Sequence, residues 1–192
     1  MFKQLGLLLE MTRSRGLVRR YFVVNGFDGA LTMLGIIMGF YVSDRANLPV
    51  IINSCFGAAI ALGMSGLTSA YISETVEQKK QLRELEQAML KNLDGSAYGQ
   101  ATRLLPFLIA AVNGLSPLVI SLIIIMPIWA ATLPLELPFN PLEFALVLAL
   151  GILFLLGVFL GRTSGTNWLW AGLRTLIIAT VTAGLIYLLA PS

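Results

Sequence analysis

The sequence contains no histidine and only one cysteine, Cys55. Histidine is the most common transition-metal ligand and the usual proton relay of proteins, so any metal or proton chemistry here must use carboxylates, amides, hydroxyls, thioethers and carbonyl groups. A single cysteine excludes a disulfide bond within the chain. The sequence also shows no nucleophile–base pair and no phosphate-binding loop. We therefore expect neither an enzyme nor a permanently bound cofactor, and no nucleic acid partner.

Charged residues are scarce as well. They form 12% of the 192 residues, whereas a soluble domain has roughly 25%. Hydrophobic residues form 57% of the chain, and its mean hydropathy is +0.82. The apolar runs are long and lack the alternating pattern of outer-membrane strands, which favours helices as the spanning element. The predicted fold class is therefore an all-α integral membrane protein.

Five apolar stretches are long enough to cross a bilayer as helices. They cover about residues 21–43, 50–72, 104–130, 142–160 and 168–189. Pro117 lies inside the third stretch. Because proline removes a helix hydrogen bond, we expect a kink or a break at that position.

Two further stretches differ in composition from these spans. Residues 1–20 combine an apolar side with five basic residues and contain no signal-peptide cleavage pattern, which predicts an interfacial amphipathic helix. Residues 73–103 are rich in charge and predict a cytosolic helix. The expected organisation is an interfacial helix (1–20), transmembrane helices 1 and 2 (21–72), a charged cytosolic helix (73–103) and transmembrane helices 3 to 5 (104–192).

The basic residues predict the orientation of the chain. Five precede the first span, five lie between residues 73 and 103, and Arg162 and Arg174 flank the connection between the fourth and fifth spans. Only Arg45 falls on the other side. Because basic residues concentrate on the cytosolic side of a membrane, we expect a cytosolic N-terminus and a C-terminus outside.

Asp28 is the only acidic residue in the first predicted span. A charge at the centre of a bilayer costs about 2.5–3.5 kcal/mol on insertion scales, so an acid in this position is a functional-site hypothesis by default. Helix rise places Asp28 about 12 Å, and Met64 and Asn113 about 15 Å, from the cytosolic ends of their helices. These three residues are therefore expected at one depth.

Two stripes of polar and small residues support a path at this depth. In the first helix the stripe consists of Asn25, Asp28, Thr32, Gly35 and Gly39, and in the second of Ser54, Ala58, Ala61, Ser65 and Thr68, beside Met64. Small residues allow close helix approach, so we expect the two stripes to meet. The predicted transport path comprises Asn25, Asp28, Thr32, Met64, Ser65 and Asn113. Alternatively, the amides and hydroxyls serve as hydrogen-bonding glue and the methionine as packing.

An acidic face in the charged stretch is a second candidate. Glu74, Glu77, Gln81 and Glu84 share one side of a helix and could collect divalent cations. With Asp28 and Met64, the three glutamates form the predicted metal-ligand set. The alternative is a solvated helix in which the acids pair with Lys80, Arg83 and Lys91.

These features resemble the vacuolar iron transporter family. The resemblance rests on basic residues followed by an Asp-Gly-x-x-Thr segment at residues 28–32, the glycines Gly35 and Gly39, the ending Tyr71-Ile72-Ser73 of the second helix, a charged insertion and three more spans. It implies a homodimer that exports ferrous or manganous ion from the cytosol in exchange for protons, with Asp28 in the path. Ala70 stands where many members carry a glutamate, and the charged insertion is shorter than theirs.

The residues fit this implied function chemically. A carboxylate in an apolar environment holds a proton readily and can exchange it for a cation, and sulfur with neutral oxygens suits Fe²⁺ or Mn²⁺. We therefore expect a proton-coupled divalent-metal transporter in the lipid bilayer. The alternative is a non-transporting membrane structural or interaction protein, in which Asp28 pairs within a rigid core.

Overall fold

The computed structural model describes residues 15–43, 47–134 and 138–189. These residues form helices and no strand. The helices are α1 (Arg15–Val42), α2 (Leu48–Met89), α3 (Ala97–Ala130), α4 (Pro141–Thr163) and α5 (Trp168–Leu189). Each of the five is long and apolar enough to cross a membrane. The prediction of an all-helical chain with five such helices is confirmed.

Two predicted boundaries differ from the observed ones at the N-terminal end and in the charged stretch. Residues 1–14 of the predicted interfacial helix lie outside the described residues, and residues 15–20 form the first turns of α1. The charged stretch is no separate helix, because α2 runs on to Met89 and α3 starts at Ala97. No proline or glycine interrupts the chain between residues 67 and 94, so nothing ends the helix where the composition changes. At 42 residues, α2 is about 63 Å long, about twice the thickness of a bilayer core.

Local hydrogen bonds fix the turn between α2 and α3. The Glu86 carboxylate accepts a hydrogen bond from the backbone N–H of Leu93 at 2.8 Å. The Ser96 hydroxyl donates to the carbonyl of Leu93 and accepts from the N–H of Gly99 at 3.1 Å, as a helix N-cap does. A Cβ atom at Gly99 would lie only 2.4 Å from the carbonyl oxygen of Leu93, so the turn requires glycine there.

The described residues divide into two compact units. The N-terminal unit comprises those within 1–25 and 63–116, and the C-terminal unit those within 26–62 and 117–192. Helices α1, α2 and α3 each contribute one part to each unit, whereas α4 and α5 belong wholly to the C-terminal unit.

The core of the C-terminal unit is apolar and closely packed. Its fully buried side chains include Met33, Ile37, Ile51, Ile124 and Leu153, from four helices. Because lipid tails are as apolar as these side chains, van der Waals packing and not the hydrophobic effect would stabilise such a core within a membrane.

Gly29 has a packing role in the same unit. A Cβ atom at this position would lie 2.8 Å from both the Cα and the carbonyl oxygen of Pro117 on α3. Helix α3 continues through Pro117 without a break. The glycine of the Asp28-Gly29 pair therefore allows the backbones of α1 and α3 to touch.

Candidate functional site

A cluster of polar side chains joins three helices of the N-terminal unit. The side-chain amide of Asn25 on α1 donates to the side-chain oxygen of Asn113 on α3. The amide of Asn113 donates in turn to the carbonyl oxygen of Gly66 on α2 at 2.6 Å. Asn113 is only 6% exposed, so these bonds satisfy a buried amide. We call Tyr21, Asn25, Glu74, Asn113 and Ser116 the polar cluster.

Glycines allow the helices of this unit to approach closely enough for these bonds. A Cβ atom at Gly66 would lie 2.9 Å from the carbonyl oxygen of Asn113, and one at Gly114 would lie 2.5 Å from the carbonyl oxygen of Gly63. The backbones of α2 and α3 are therefore in contact. At a larger distance the short side chain of Asn113 would not reach Gly66.

Glu74 is the carboxylate of the cluster. The phenol of Tyr21 on α1 donates to its Oε1 atom at 3.0 Å. Glu74 is only 8% exposed, although it belongs to the charged part of the sequence. A buried carboxylate must be hydrogen-bonded or protonated, and the tyrosine hydroxyl supplies one such bond.

Two further bonds complete the cluster. The hydroxyl of Ser116 donates to the carbonyl oxygen of Phe22 at 2.5 Å, and the amide of Asn25 also donates to the carbonyl oxygen of Tyr21 at 2.8 Å. Both N–H bonds of the Asn25 amide are thus in use. Its Oδ1 atom accepts no hydrogen bond from the described residues, which leaves one oriented amide oxygen for a proton donor or a cation.

Asp28 lies in the C-terminal unit and its side chain is exposed. Ala30, Met33 and Ile37 mark the buried face of α1. Asp28 precedes Ala30 by two positions, about 200° around the helix, and therefore lies opposite that face. Its carboxylate makes no hydrogen bond or ion pair with another described residue.

The other stripe residues of α1 in this unit contact their own helix or α5. The hydroxyl of Thr32 donates to the carbonyl oxygen of Asp28 at 2.7 Å. A Cβ atom at Gly35 would lie 3.6 Å from Ile186, whereas one at Gly39 would have no neighbour within 4 Å. The stripe is therefore covered by α5 at Gly35 and open at Gly39.

Met64 and Ser65 take no part in the polar cluster. Met64 is 58% exposed, and Ser65 is exposed as well. Both belong to the N-terminal unit, as does Asn113, whereas Asp28 and Thr32 belong to the other. Of the residues predicted for the transport path, Asn25 and Asn113 are the only pair among the described residues whose side chains are hydrogen-bonded between two helices.

The three glutamates of the predicted acidic face differ in their exposure to solvent. Glu74 is buried, whereas Glu77 and Glu84 are exposed. Glu77 accepts a hydrogen bond from Gln81 at 2.9 Å, and Glu84 lies 3.9 Å from the ammonium group of Lys80. Within the described part of the chain, no three Asp, Glu, Cys or His side chains are grouped so that they could hold a metal ion. The five residues predicted as a metal-ligand set therefore do not include such a group.

Tyr21 and Ser116 were not predicted as site residues. Both could have been recognised from their spacing in the sequence. Tyr21 precedes Asn25 by one helical turn, and Ser116 follows Asn113 by three positions. Residues at these spacings lie on the same side of a helix. The bonds to Glu74 and to the carbonyl of Phe22 have no sequence signal, because they depend on which helix faces are paired.

Comparison with known proteins identifies a similar archaeal protein. No protein-family model matches the chain, and no solved structure matches it. The chain is similar to an uncharacterized protein of Methanocaldococcus jannaschii, with 27% identity over 174 residues. The match covers 88% of this chain and 87% of that protein. The similarity thus extends over most of both chains.

Proposed function

We propose that the protein is a proton-coupled exporter of divalent metal, Fe²⁺ or Mn²⁺, which works as a homodimer in a membrane and resembles the vacuolar iron transporter family. One observation carries this proposal. Asp28 stands in an apolar helix, on the side opposite the buried face, and has no bonding partner among the described residues.

An acid in this position needs another partner. Facing lipid alone, its charge would cost about 2.5–3.5 kcal/mol near the bilayer centre. A second copy of the chain, water or a bound ion would remove that cost. In the proposal the exposed side of α1 at Asp28 faces the second copy, and Asp28 alternates between a proton and the metal ion.

Glu74 takes the role of a second acid in this proposal. The resembled family has a membrane glutamate where this chain has Ala70. Glu74 follows Ala70 by one helical turn, is buried and accepts the hydrogen bond of Tyr21.

Glu77 and Glu84 are proposed to attract cations at the cytosolic mouth. In this orientation the N-terminus and the charged end of α2 are cytosolic and the C-terminus lies outside. Both glutamates are exposed, and their bonds to Gln81 and Lys80 are of the surface kind, each worth about 1 kcal/mol or less. A divalent cation could therefore replace those partners.

The test is metal flux into proteoliposomes with and without a pH gradient. We expect Fe²⁺ or Mn²⁺ flux that depends on the gradient in the wild type and falls at least tenfold in Asp28→Asn. Glu143→Gln is the matched control, because Glu143 is an exposed acid that accepts a hydrogen bond from Tyr41 at 3.3 Å. Unchanged flux in Asp28→Asn would refute the mechanism.

A non-transporting structural protein is the second candidate. The observation that favours it is the polar cluster, whose amides are largely used in helix-to-helix bonds. The described acids also do not group into a metal site. Absence of flux for every ion tested, in vesicles that contain folded protein, would favour this candidate.

A further inference from the structure

Helices α4 and α5 form a rigid hairpin, in which glycines allow the two helices to pack closely. A Cβ atom at Gly157 would lie 2.3 Å from the hydroxyl oxygen of Thr175, and one at Gly161 would lie 2.6 Å from the Cβ of Ala171. The hydroxyl of Thr175 also donates to the carbonyl oxygen of Leu153 at 3.0 Å. The residues at the turn of this hairpin are therefore held in fixed positions.

A cavity of about 340 Å³ lies at that turn. Its lining consists of Thr166, Asn167, Trp170, Ala171 and Arg174. The lining thus combines a guanidinium group, an indole, a hydroxyl and an amide, all of which can donate hydrogen bonds. No acidic side chain belongs to it.

Arg174 has no counter-charge in its own part of the sequence. The chain contains no aspartate or glutamate from residue 144 to residue 192, whereas Arg162 and Arg174 both lie there. Arg162 is placed over the ring of Trp168, at 5.3 Å from its centroid, so its charge has an aromatic neighbour. Arg174 is exposed and lines the cavity instead.

The position of Arg174 along α5 adds to the argument. It lies six residues after the first residue of the helix, about 9 Å along its axis, in a helix of 22 residues that is about 33 Å long. In a helix that crosses a membrane, an arginine at this depth extends toward the headgroups, where phosphate is its natural partner. Trp168 and Trp170 lie near the same end of α5, and both are more than 40% exposed. Exposed tryptophans are typical of the interface between membrane and water.

We propose that this cavity binds an anionic phosphate group, as carried by an anionic phospholipid headgroup or by free phosphate. Arg174 supplies the charge, and the side-chain amide of Asn167 and the indole N–H of Trp170 supply the hydrogen bonds. This inference does not depend on metal transport. It follows from a cation that has no ion-pair partner among the described residues, in a cavity lined by donors.

The test is a thermal-shift titration of the full chain in a neutral detergent with three soluble probes. These are dihexanoyl phosphatidylglycerol, dihexanoyl phosphatidylcholine and inorganic phosphate. We expect saturable stabilisation by phosphatidylglycerol and about fivefold weaker binding in Arg174→Gln, which corresponds to ~1 kcal/mol for one basic residue. Arg174→Lys should bind within twofold of the wild type.

Arg103→Gln is the matched control. Arg103 also lies six residues after the start of its helix and is exposed, but it pairs with Asp94 at 3.3 Å. Saturation by inorganic phosphate alone would support the site and identify free phosphate as its ligand. The proposal is overturned if no probe stabilises the protein, if phosphatidylcholine binds as tightly as phosphatidylglycerol, or if Arg103→Gln weakens binding as much as Arg174→Gln.

Discussion

The side-chain amides of Asn25 and Asn113 are hydrogen-bonded to each other between α1 and α3. The bond fixes both residues, because Asn113 is also bound to the backbone of α2 at Gly66. One short side chain therefore links three helices of the N-terminal unit. The same bonds fix the orientation of the Asn25 side chain, whose Oδ1 atom accepts no hydrogen bond from the described residues. The cluster therefore holds the helices together and also offers a candidate ligand atom.

Replacement of Asn113 by leucine should destabilise the protein by about 1–3 kcal/mol. The substitution removes the Asn113 partner of two half-buried groups, the side-chain amide of Asn25 and the carbonyl of Gly66. Unfolding in mixed detergent micelles, followed by circular dichroism, measures the loss. Asn53→Leu is the control, because Asn53 is an exposed asparagine of α2, and it should change stability by less than about 0.5 kcal/mol.

Gly29→Ala should cost about 1–3 kcal/mol, since the new methyl group would overlap the backbone at Pro117 and force α1 and α3 apart. The same substitution at Gly39, on the same helix, meets nothing within 4 Å and should be neutral or stabilising by up to about 1 kcal/mol. Thermal unfolding of the two variants compares them directly. Equal destabilisation of both would show that the contact at Pro117 is not what makes Gly29 necessary.

Tyr21→Phe should lower stability by about 1–3 kcal/mol, because it removes the hydroxyl that donates to the buried carboxylate of Glu74. Tyr41→Phe is a close control: its hydroxyl also donates to a glutamate, but at 3.3 Å and in an exposed place. We expect a loss of less than about 0.5 kcal/mol there. If both variants lose equally, burial of Glu74 is not the source of the effect.

Joint replacement of Glu77 and Glu84 by glutamine should raise the KM for metal severalfold and leave kcat within twofold. These exposed acids are proposed to concentrate cations at the mouth, not to hold them during transport. Flux measured over a range of Mn²⁺ concentrations separates the two constants, and added salt should reduce the difference between variant and wild type. A fall in kcat with unchanged KM would place the two glutamates in the path itself.

Several features of this protein were determined by the sequence alone. Five long apolar runs with few charges specify five helices, because any buried backbone group must be paired within its own segment. Helical periodicity also predicts that Asp28 lies with Thr32, Gly35 and Gly39 on one side of α1. The change to charged residues near Ser73 was misleading as a helix boundary, since polar residues such as Glu, Lys and Gln propagate a helix nearly as well as leucine does.

Only the tertiary structure decided which of these faces are paired. Asn113 bonds to Asn25 and to the backbone at Gly66, whereas Met64 on α2 remains exposed. Glu74, which the sequence places among solvated charges, is buried beside Tyr21. The physical reason is that periodicity fixes the residues that share a helix face, while the choice of partner depends on backbone approach distances of a few ångströms, set here by glycines such as Gly29, Gly66 and Gly114.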